Sequence, residues 1–198
     1  MPEIPFEPVV LEGKHVRLEP LTMMHLPRLV EIGLERDIFR WYAQPIRTPE
    51  DMKGLVATAL EEQQAGKSLP FATVERGTGL AVGSTRFMTI DRPNRTVEIG
   101  YTWIAPAWQR TAINTEAKYL MMRCAFDEWG CSRVGLKTDS LNERSRRAIA
   151  RVGAKEEGIL RNHMITASGR LRHSVYFSVI REEWPEVKAA LEAKLLRT

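Results

Sequence analysis

The 198-residue chain is poor in the residues that build metal centres and disulfide frameworks. It holds two cysteines, Cys124 and Cys131, and four histidines. Two cysteines do not form a disulfide scaffold, and the histidines show no spacing that is typical of metal ligands. We therefore predict no metal site and interpret Cys124, which follows Met121 and Met122 on an apolar stretch, as a core residue.

Long apolar runs are also missing. No uninterrupted hydrophobic stretch reaches the roughly 20 residues that a membrane-spanning helix requires, and residues 1–7 lack the pattern of a signal peptide. We therefore expect a cytoplasmic protein without a membrane partner. Internal repeats, low-complexity segments and linkers are absent too, and the length predicts a single domain over residues 1–198.

Acidic residues are scarce in one part of the chain. Between Gln109 and Arg181 there are 14 Lys or Arg residues against 7 Asp or Glu, whereas the rest holds 15 basic and 18 acidic residues. A basic half of this kind suits a polyanionic small molecule. Because the arginines are scattered and no aromatic-rich motif accompanies them, we expect no nucleic-acid partner. Most of these arginines are also typical of an ordinary solvated surface.

The apolar periodicity predicts alternating strands and helices. Turns after residues 75 and 90 favour an antiparallel meander, whereas a later strand–helix–strand order requires a parallel crossover, so the sheet is mixed. Strands are predicted at about 14–20, 71–75, 80–90, 96–104, 133–138, 158–166 and 171–180, and helices at about 22–33, 48–64, 114–129, 142–152 and after 185.

Residues 108–118 join a predicted strand to a long amphipathic helix. A loop that enters a helix leaves several backbone N–H groups unpaired, and with the helix dipole they form a site for a phosphate or pyrophosphate. About thirty residues later, Asn142 and Ser145 fall at a second strand-to-helix junction. Two such junctions suggest one phosphate-bearing cofactor that lies across a split in the sheet.

Several motifs resemble, in order and spacing, the GNAT superfamily of acyl-CoA-dependent N-acyltransferases, particularly its RimJ/RimL-type ribosomal-protein branch. These motifs are LEGKHVRLEPL (11–21), VEIGYTWI (97–104), NTEAK (114–118), NERS (142–145) and EWP (183–185). The resemblance covers nearly the whole chain. It implies an α/β (α+β) fold with a mostly antiparallel seven-stranded sheet, a central splayed parallel pair and helices on both faces. It also implies acetyl-CoA as co-substrate.

In this family the loop before the long helix carries the pyrophosphate of coenzyme A. Arg110 and Ala112 stand where glycines are usual, and a left-handed residue with a Cβ costs roughly 1–2 kcal/mol. We expect the loop to keep right-handed dihedrals; the alternative is weaker binding, partly compensated by an Arg110–phosphate contact. The resemblance implies cofactor contacts from Gln109, Arg110, Thr111, Ala112, Ile113, Asn114 and Thr115.

An amine that attacks a thioester must be unprotonated, the carbonyl must be polarised, and the departing thiolate needs a donor. The resemblance assigns the second task to a backbone N–H of the splayed strand, at about Thr102, Trp103 and Ile104.

The donor for the thiolate departs from the common pattern. Many family members use a tyrosine seven residues after the asparagine, where this chain has Ile149. The branch resembled uses a serine, here Ser145, assisted by Asn142, and both also belong to the implied cofactor site. Without the resemblance, Asn142 is interpreted as a helix N-cap and Ser145 as a first-turn hydroxyl.

Glu98 is the candidate general base. Six residues along a strand span about 20 Å, so Glu98 lies away from the loop, near an incoming amine, and acts directly or through water. The alternative is a solvent-facing acid paired with an arginine on the neighbouring strand. Trp41, Tyr42 and His163 are candidates for an acceptor pocket, although such aromatic residues are more often core or interface residues.

The leading hypothesis is an N-acetyltransferase that moves acetyl from acetyl-CoA directly to a primary amine. The acceptor is a protein N-terminus, a polyamine, an aminoglycoside or another small amine. One alternative is a different donor such as succinyl-CoA, which needs an extra cation near the thioester. Another is a non-catalytic acyl-CoA-binding regulatory module, suggested by the missing tyrosine and the altered loop. A homodimer through the last strand or helix stays open.

Overall fold

The computed structural model describes residues 4, 7–35 and 38–197. Its strands are β1 Leu11–Glu12, β2 Val16–Pro20, β3 Ser68–Glu75, β4 Leu80–Asp91, β5 Thr96–Ile104, β6 Arg133–Asp139, β7 Lys155–Ile165 and β8 Leu171–Ile180. They form one sheet in the order β1-β2-β3-β4-β5-β6-β8-β7. The predicted count of seven strands is wrong by one, because the two-residue β1 is too short to show an alternating pattern.

Five α-helices pack on this sheet within the described residues. They are α1 Leu26–Gly33, α2 Pro49–Gln64, α3 Ala112–Arg123, α4 Glu143–Arg151 and α5 Trp184–Leu195. The start of α2 follows the predicted pattern, since Thr48 accepts a hydrogen bond from the Asp51 N–H and proline is the first helical residue. Helix α3 begins two residues earlier than predicted and continues into one π-helical turn, Cys124–Glu128.

Apolar layers cover both faces of the sheet. One layer holds side chains of α3 and α5, and the other holds side chains of α1 and α2. Neighbouring residues of β3 alternate between them: Phe71 enters the first layer and Ala72 the second, as strand geometry requires. The prediction of helices on both faces is confirmed.

The parallel pair at the centre of the sheet opens along its length. Strands β5 and β6 are paired only as far as Glu98 opposite Gly135. Beyond that point β5 stays bonded to β4 up to Ile104, and β6 stays bonded to β8 up to Asp139. The two strands therefore diverge and leave a split between them. The mixed, mostly antiparallel sheet with a central splayed pair is confirmed.

Candidate functional site

A cavity of about 740 Å³ occupies the split between β5 and β6. Most of the residues singled out from the sequence line its wall, whereas Thr111, Ala112, Ile113 and Thr115 lie outside it among the described residues. Another depression, of about 790 Å³, lies on β7 and β8 around residues 159–163 and is shallow and open to solvent. The predicted site residues in the wall of the split are Trp41, Tyr42, Glu98, Thr102, Trp103, Ile104, Gln109, Arg110, Asn114, Asn142, Ser145 and His163.

Two side chains build the loop that enters α3. Thr111 caps the helix, because its hydroxyl accepts a hydrogen bond from the Ile113 N–H at 3.3 Å. The Gln109 side-chain amide donates to the Ile104 carbonyl at 2.8 Å and accepts from the Arg144 guanidinium at 3.0 Å. Gln109 therefore joins the end of β5 to α4 across the mouth of the split. The Ile113 side chain is buried in the core, so only its backbone faces the loop.

The expectation of right-handed dihedrals in this loop is wrong at Arg110. Its φ is +65°, in the left-handed region, whereas Ala112 is the first residue of α3 and is helical. The chain must reverse between a 3-10 turn, Pro106–Trp108, and the helix, and Arg110 makes that reversal. The alanine is consequently harmless, while the arginine carries the conformational cost and places its side chain in the cavity wall.

Strand β5 bulges where it lines the cavity. One residue of β4, Thr85, lies opposite both Tyr101 and Thr102, and Tyr101 has a φ of +48°, which is uncommon for a residue with a Cβ. The guanidinium carbon of Arg86 lies 4.0 Å from the centroid of the Tyr101 ring and packs on it. A bulge takes its extra residue out of the ladder, so backbone groups of this segment can face the split.

The side chains next to the bulge divide between core and cavity. The Trp103 ring packs at 5.2 Å from Phe39 in the layer under α1 and α2, so Trp103 and the buried Ile104 offer mainly backbone to the cavity. The Thr102 hydroxyl instead accepts a hydrogen bond from Lys118 Nζ of α3 at 2.6 Å.

The second junction has the capping geometry that its sequence indicates. The Asn142 side-chain oxygen accepts a hydrogen bond from the Ser145 N–H at 3.1 Å, and both residues are half-buried in the cavity wall. Ile149, at the position of the usual tyrosine, is 8% exposed and belongs to the core. The capping role does not remove either residue from the cavity.

Glu98 lies at the point where the two strands part. It is 9% exposed, and Lys137 of β6 places Nζ 3.0 Å from Oε1 and 3.2 Å from Oε2. The alternative of a solvent-facing acid paired with an arginine is therefore wrong on both counts. The register explains the partner, because β6 runs parallel to β5 and brings Lys137 beside the carboxylate.

Tyr42 attaches the segment before α2 to the bulge. Its ring meets Tyr101 edge-on at 5.7 Å and Phe39 at 5.0 Å. Its hydroxyl oxygen is buried without a hydrogen-bond partner among the described residues, and this burial raises the pKa of Tyr42. The neighbouring Trp41 also lines the cavity.

His163 of β7 closes the same end of the cavity. Its Nδ1 lies 2.9 Å from the Ser174 hydroxyl and its Nε2 lies 3.3 Å from the Tyr176 hydroxyl. Burial, followed by the charge of Lys137, lowers the pKa of His163. The structure thus brings all three predicted acceptor residues, Trp41, Tyr42 and His163, into the wall of the cavity that also holds Glu98.

Two buried cations in the cavity wall were missed from the sequence. Lys118 is 6% exposed and Arg172 is 8% exposed. Arg172 of β8 donates to the Trp41 carbonyl at 3.3 Å, and its Nε lies 3.8 Å from Asp139. The signal for Lys118 was its spacing, because it follows Asn114 by four residues and so shares its helix face.

Part of the surplus of basic residues noted in the sequence lies in the cavity wall near the loop that enters α3. Arg144, Arg147 and Arg151 recur at spacings of three and four residues on α4 and line the wall together with Arg110. Within the described residues, no group of three His, Cys, Asp or Glu side chains could hold a metal ion. None of the described helices is long and apolar enough to span a membrane.

Comparisons with known proteins agree with this architecture. The model of the acetyltransferase (GNAT) domain family matches residues 15–155. YdaF of Bacillus subtilis (strain 168), named provisionally as a ribosomal N-acetyltransferase, is 34% identical over 106 residues; the match spans 54% of this chain and only 57% of YdaF.

Solved structures show the same fold over almost the whole chain. A GCN5-related N-acetyltransferase from Brucella melitensis superposes with a TM-score of 0.89 at 34% identity, over 97% of this chain and 87% of that one. RimJ of Mycobacterium smegmatis, solved in complex with CoA-disulfide, has a TM-score of 0.81 at 21% identity, over 96% of both chains, which is a likeness of fold.

These findings confirm the resemblance to the GNAT superfamily that the motifs indicate. A family whose model covers residues 15–155, and a relative with 34% identity over nearly the full length, leave no other assignment: the chain belongs to the GNAT acetyltransferase family.

Proposed function

We propose that this N-acetyltransferase moves the acetyl group of acetyl-CoA directly to the free N-terminal amine of a protein or peptide. The observation that carries the proposal is the continuous cavity in the splayed sheet. It connects the loop before α3, which suits a diphosphate, to the buried carboxylate of Glu98. A donor in this cavity therefore reaches an acceptor at the far end without a covalent enzyme intermediate.

The phosphate end of the cavity fits coenzyme A. The N-terminus of α3 and the guanidinium of Arg110 offer positive potential for the diphosphate, and Asn114, the third residue of α3, also lines the wall. Arg144, Arg147 and Arg151 add positive charge on the facing helix. The pantetheine arm then follows the unpaired edge of β5, where Thr102 to Ile104 present backbone groups.

The chemistry follows from what lies along that path. Glu98 takes the proton of the attacking amine, directly or through water. A backbone N–H of the bulged strand at Thr102 to Ile104 polarises the carbonyl oxygen, because the bulge frees backbone groups from the ladder. Ser145, positioned through the Asn142 cap, donates a hydrogen bond to the departing thiolate.

The acceptor end supports an amine with a single charge. Among the described residues that line it, the carboxylate is Glu98 and the cations are Lys137 and Arg172. A polyamine or an aminoglycoside carries several positive charges and is repelled by this surplus, whereas a peptide N-terminus brings only one. The provisional name of YdaF supports the same acceptor class.

An acceptor panel tests the proposal. The protein is incubated with acetyl-CoA and a peptide with a free N-terminus, the same peptide with a blocked N-terminus, a polyamine or an aminoglycoside. We expect one added acetyl group by mass spectrometry on the free peptide alone. Transfer only to the polycations contradicts the acceptor class, and CoA binding without turnover on any amine indicates the regulatory module.

Glu98→Gln tests the base. We expect a lower turnover number and a flatter pH–rate profile, because the variant has no carboxylate to accept the proton. The matched control is Glu157→Gln on β7, whose carboxylate pairs with Arg133 and does not line the described cavity. Equal rates for Glu98→Gln and the native enzyme remove Glu98 from the mechanism.

A further inference from the structure

Lys118 is a buried cation without a buried counter-charge. It is 6% exposed, its Nζ donates to the Thr102 hydroxyl at 2.6 Å, and the side chain lines the cavity. Within the described part of the chain, no carboxylate forms an ion pair with it. A lysine has three N–H donors and no acceptor, so a single hydroxyl leaves donors for a ligand.

The position of Lys118 along the cavity matches the expected place of the thioester. It lies one helical turn beyond Asn114, about 6 Å further along α3 from the diphosphate loop. Its partner Thr102 lies on the bulged part of β5, about 13 Å along the strand from Glu98. The ammonium is therefore between the phosphate end and the acceptor end, beside the backbone groups that polarise the carbonyl.

Among the described residues of the cavity wall, the tyrosine that many relatives use as the acid is replaced. Ile149 occupies the place of the tyrosine that many relatives use, and it is buried in the core. The Ser145 hydroxyl can hydrogen-bond a thiolate, but a serine hydroxyl does not release its proton near neutral pH. A donor that supplies the proton itself is still needed.

We propose that the Lys118 ammonium is the catalytic acid that protonates the departing thiolate of coenzyme A. This inference rests on the acyltransferase function proposed above. It assigns Lys118 a part in the chemical step, whereas Thr102 positions its ammonium group.

The amine nitrogen uses its lone pair to form the C–N bond, and the C–S bond breaks with its electron pair going to sulfur. One Nζ proton of Lys118 moves to that sulfur, which leaves neutral Lys118 and the free thiol. The proton lost by the attacking nitrogen goes to Glu98. Once the products have left, Glu98 releases that proton to solvent and solvent reprotonates Lys118.

The titration of Lys118 suits this task. Burial lowers the pKa of Lys118 from 10.5 to about 7. An acid whose pKa lies near the working pH both gives up and regains its proton in each turnover. The other charged or titratable groups of the described cavity wall come from every element around it. They are Tyr42 before α2, Glu98 and Tyr101 of β5, Arg110 of the loop, Lys137 of β6, Arg144, Arg147 and Arg151 of α4, His163 of β7 and Arg172 of β8.

The ionisation of bound coenzyme A tests the proposal without a known acceptor. The ultraviolet absorbance of the thiolate is followed against pH in protein saturated with CoA, with desulfo-CoA as the blank. The thiolate and the Lys118 ammonium titrate as a coupled pair, because each charge favours the charged form of the other. We expect the bound thiol of the native protein to ionise at a lower pH than that of Lys118→Met, by about one pH unit, a tenfold effect.

Two further variants keep the result interpretable. Lys118→Gln retains a donor to Thr102, and we expect it to behave like Lys118→Met if charge is what matters. Lys155→Met removes an exposed lysine outside the described cavity, and we expect it to leave the thiol ionisation unchanged.

The outcomes separate this inference from the proposed function. No CoA binding to the native protein overturns both. CoA binding with equal thiol ionisation in native and Lys118→Met overturns the inference alone. A loss of CoA affinity beyond tenfold in Lys118→Met also overturns it, because Lys118 then serves ground-state binding. A loss of affinity in Lys118→Met that is confined to succinyl-CoA also overturns the inference, because Lys118 would then bind the carboxylate of the succinyl group.

Discussion

Helix α3 buries two charged side chains, Glu116 and Lys118, that differ in how they are satisfied. The Glu116 carboxylate accepts hydrogen bonds from the backbone N–H groups of Lys14, His15 and Val16 at 2.8, 2.6 and 2.7 Å. Lys118, in contrast, donates to a single hydroxyl, that of Thr102, and its side chain lines the cavity. A buried charge with a full set of partners holds the fold, and one with spare donors at a cavity is available for chemistry.

The Glu116 carboxylate is closely packed on the side of Gly13. A Cβ added to Gly13 would lie 2.4 Å from Glu116 Cδ, so the turn before β2 is built closely around the carboxylate. Glu116 thereby ties the first hairpin of the sheet to α3. On the Lys118 side, the same helix lines the cavity.

The largest expected effect falls on Glu116. Glu116→Gln replaces a carboxylate that accepts three N–H bonds by an amide that brings its own N–H donors to them. We expect the free energy of unfolding, from urea titration, to fall by about 3–5 kcal/mol. CoA affinity of the folded fraction stays as in the native protein. The exposed Glu143→Gln serves as control, and a loss below about 1 kcal/mol for Glu116→Gln contradicts the structural role.

Lys118→Met is expected to change stability in the opposite direction. The folded chain releases the Lys118 proton at about pH 7, whereas the unfolded chain holds it to about 10.5. The unfolded state therefore binds more protons in this window, and the native protein gains stability as the pH rises through it. We expect Lys118→Met to be more stable below pH 7 and to lose this advantage towards pH 10. A less stable variant at neutral pH contradicts the account.

Ser145→Ala extends the comparison to the second junction. Ser145 contributes its N–H to the Asn142 cap, and alanine retains that group. We expect the turnover number to fall by roughly tenfold, ~1.4 kcal/mol, with acetyl-CoA affinity nearly unchanged, because only the hydroxyl bond to the thiolate is lost. Steady-state kinetics and calorimetry measure the two quantities. Unaltered turnover would remove Ser145 from the mechanism.

The smallest effects are expected in the loop. Ala112→Gly should change the acetyl-CoA dissociation constant by less than about tenfold, since Ala112 is already helical. Arg110→Gly should stabilise the free protein by up to about 1 kcal/mol, because φ is +65°, and should weaken CoA binding through loss of the guanidinium. Tighter binding by Arg110→Gly would show that the native loop is impaired.

Sequence reasoning reached the parts of the molecule that follow local rules. The periodicity of the strands and helices, the Thr48 cap and the order of the elements predict the mixed sheet and its central pair. Strand β1 was not predicted because two residues are too few to show the alternating apolar pattern of a strand. The start of α3 was misplaced because its N-cap is Thr111, and a single threonine is a weak signal for a helix start.

The remainder depends on long-range packing. The partner of Glu98 follows from the parallel register of β5 and β6, which periodicity does not specify. Lys118 was missed because lysines on helices are usually exposed, and its burial depends on the splay of a sheet formed by distant segments. The left-handed Arg110 likewise follows from the geometry of a junction and not from its residue type.

A crystal structure with coenzyme A tests the central claim most directly. We predict the diphosphate at the loop of residues 109–115, the pantetheine arm along β5, and the sulfur within hydrogen-bonding distance of Lys118 Nζ. An empty split in crystals grown with saturating CoA, or a sulfur atom that faces away from α3, would contradict it.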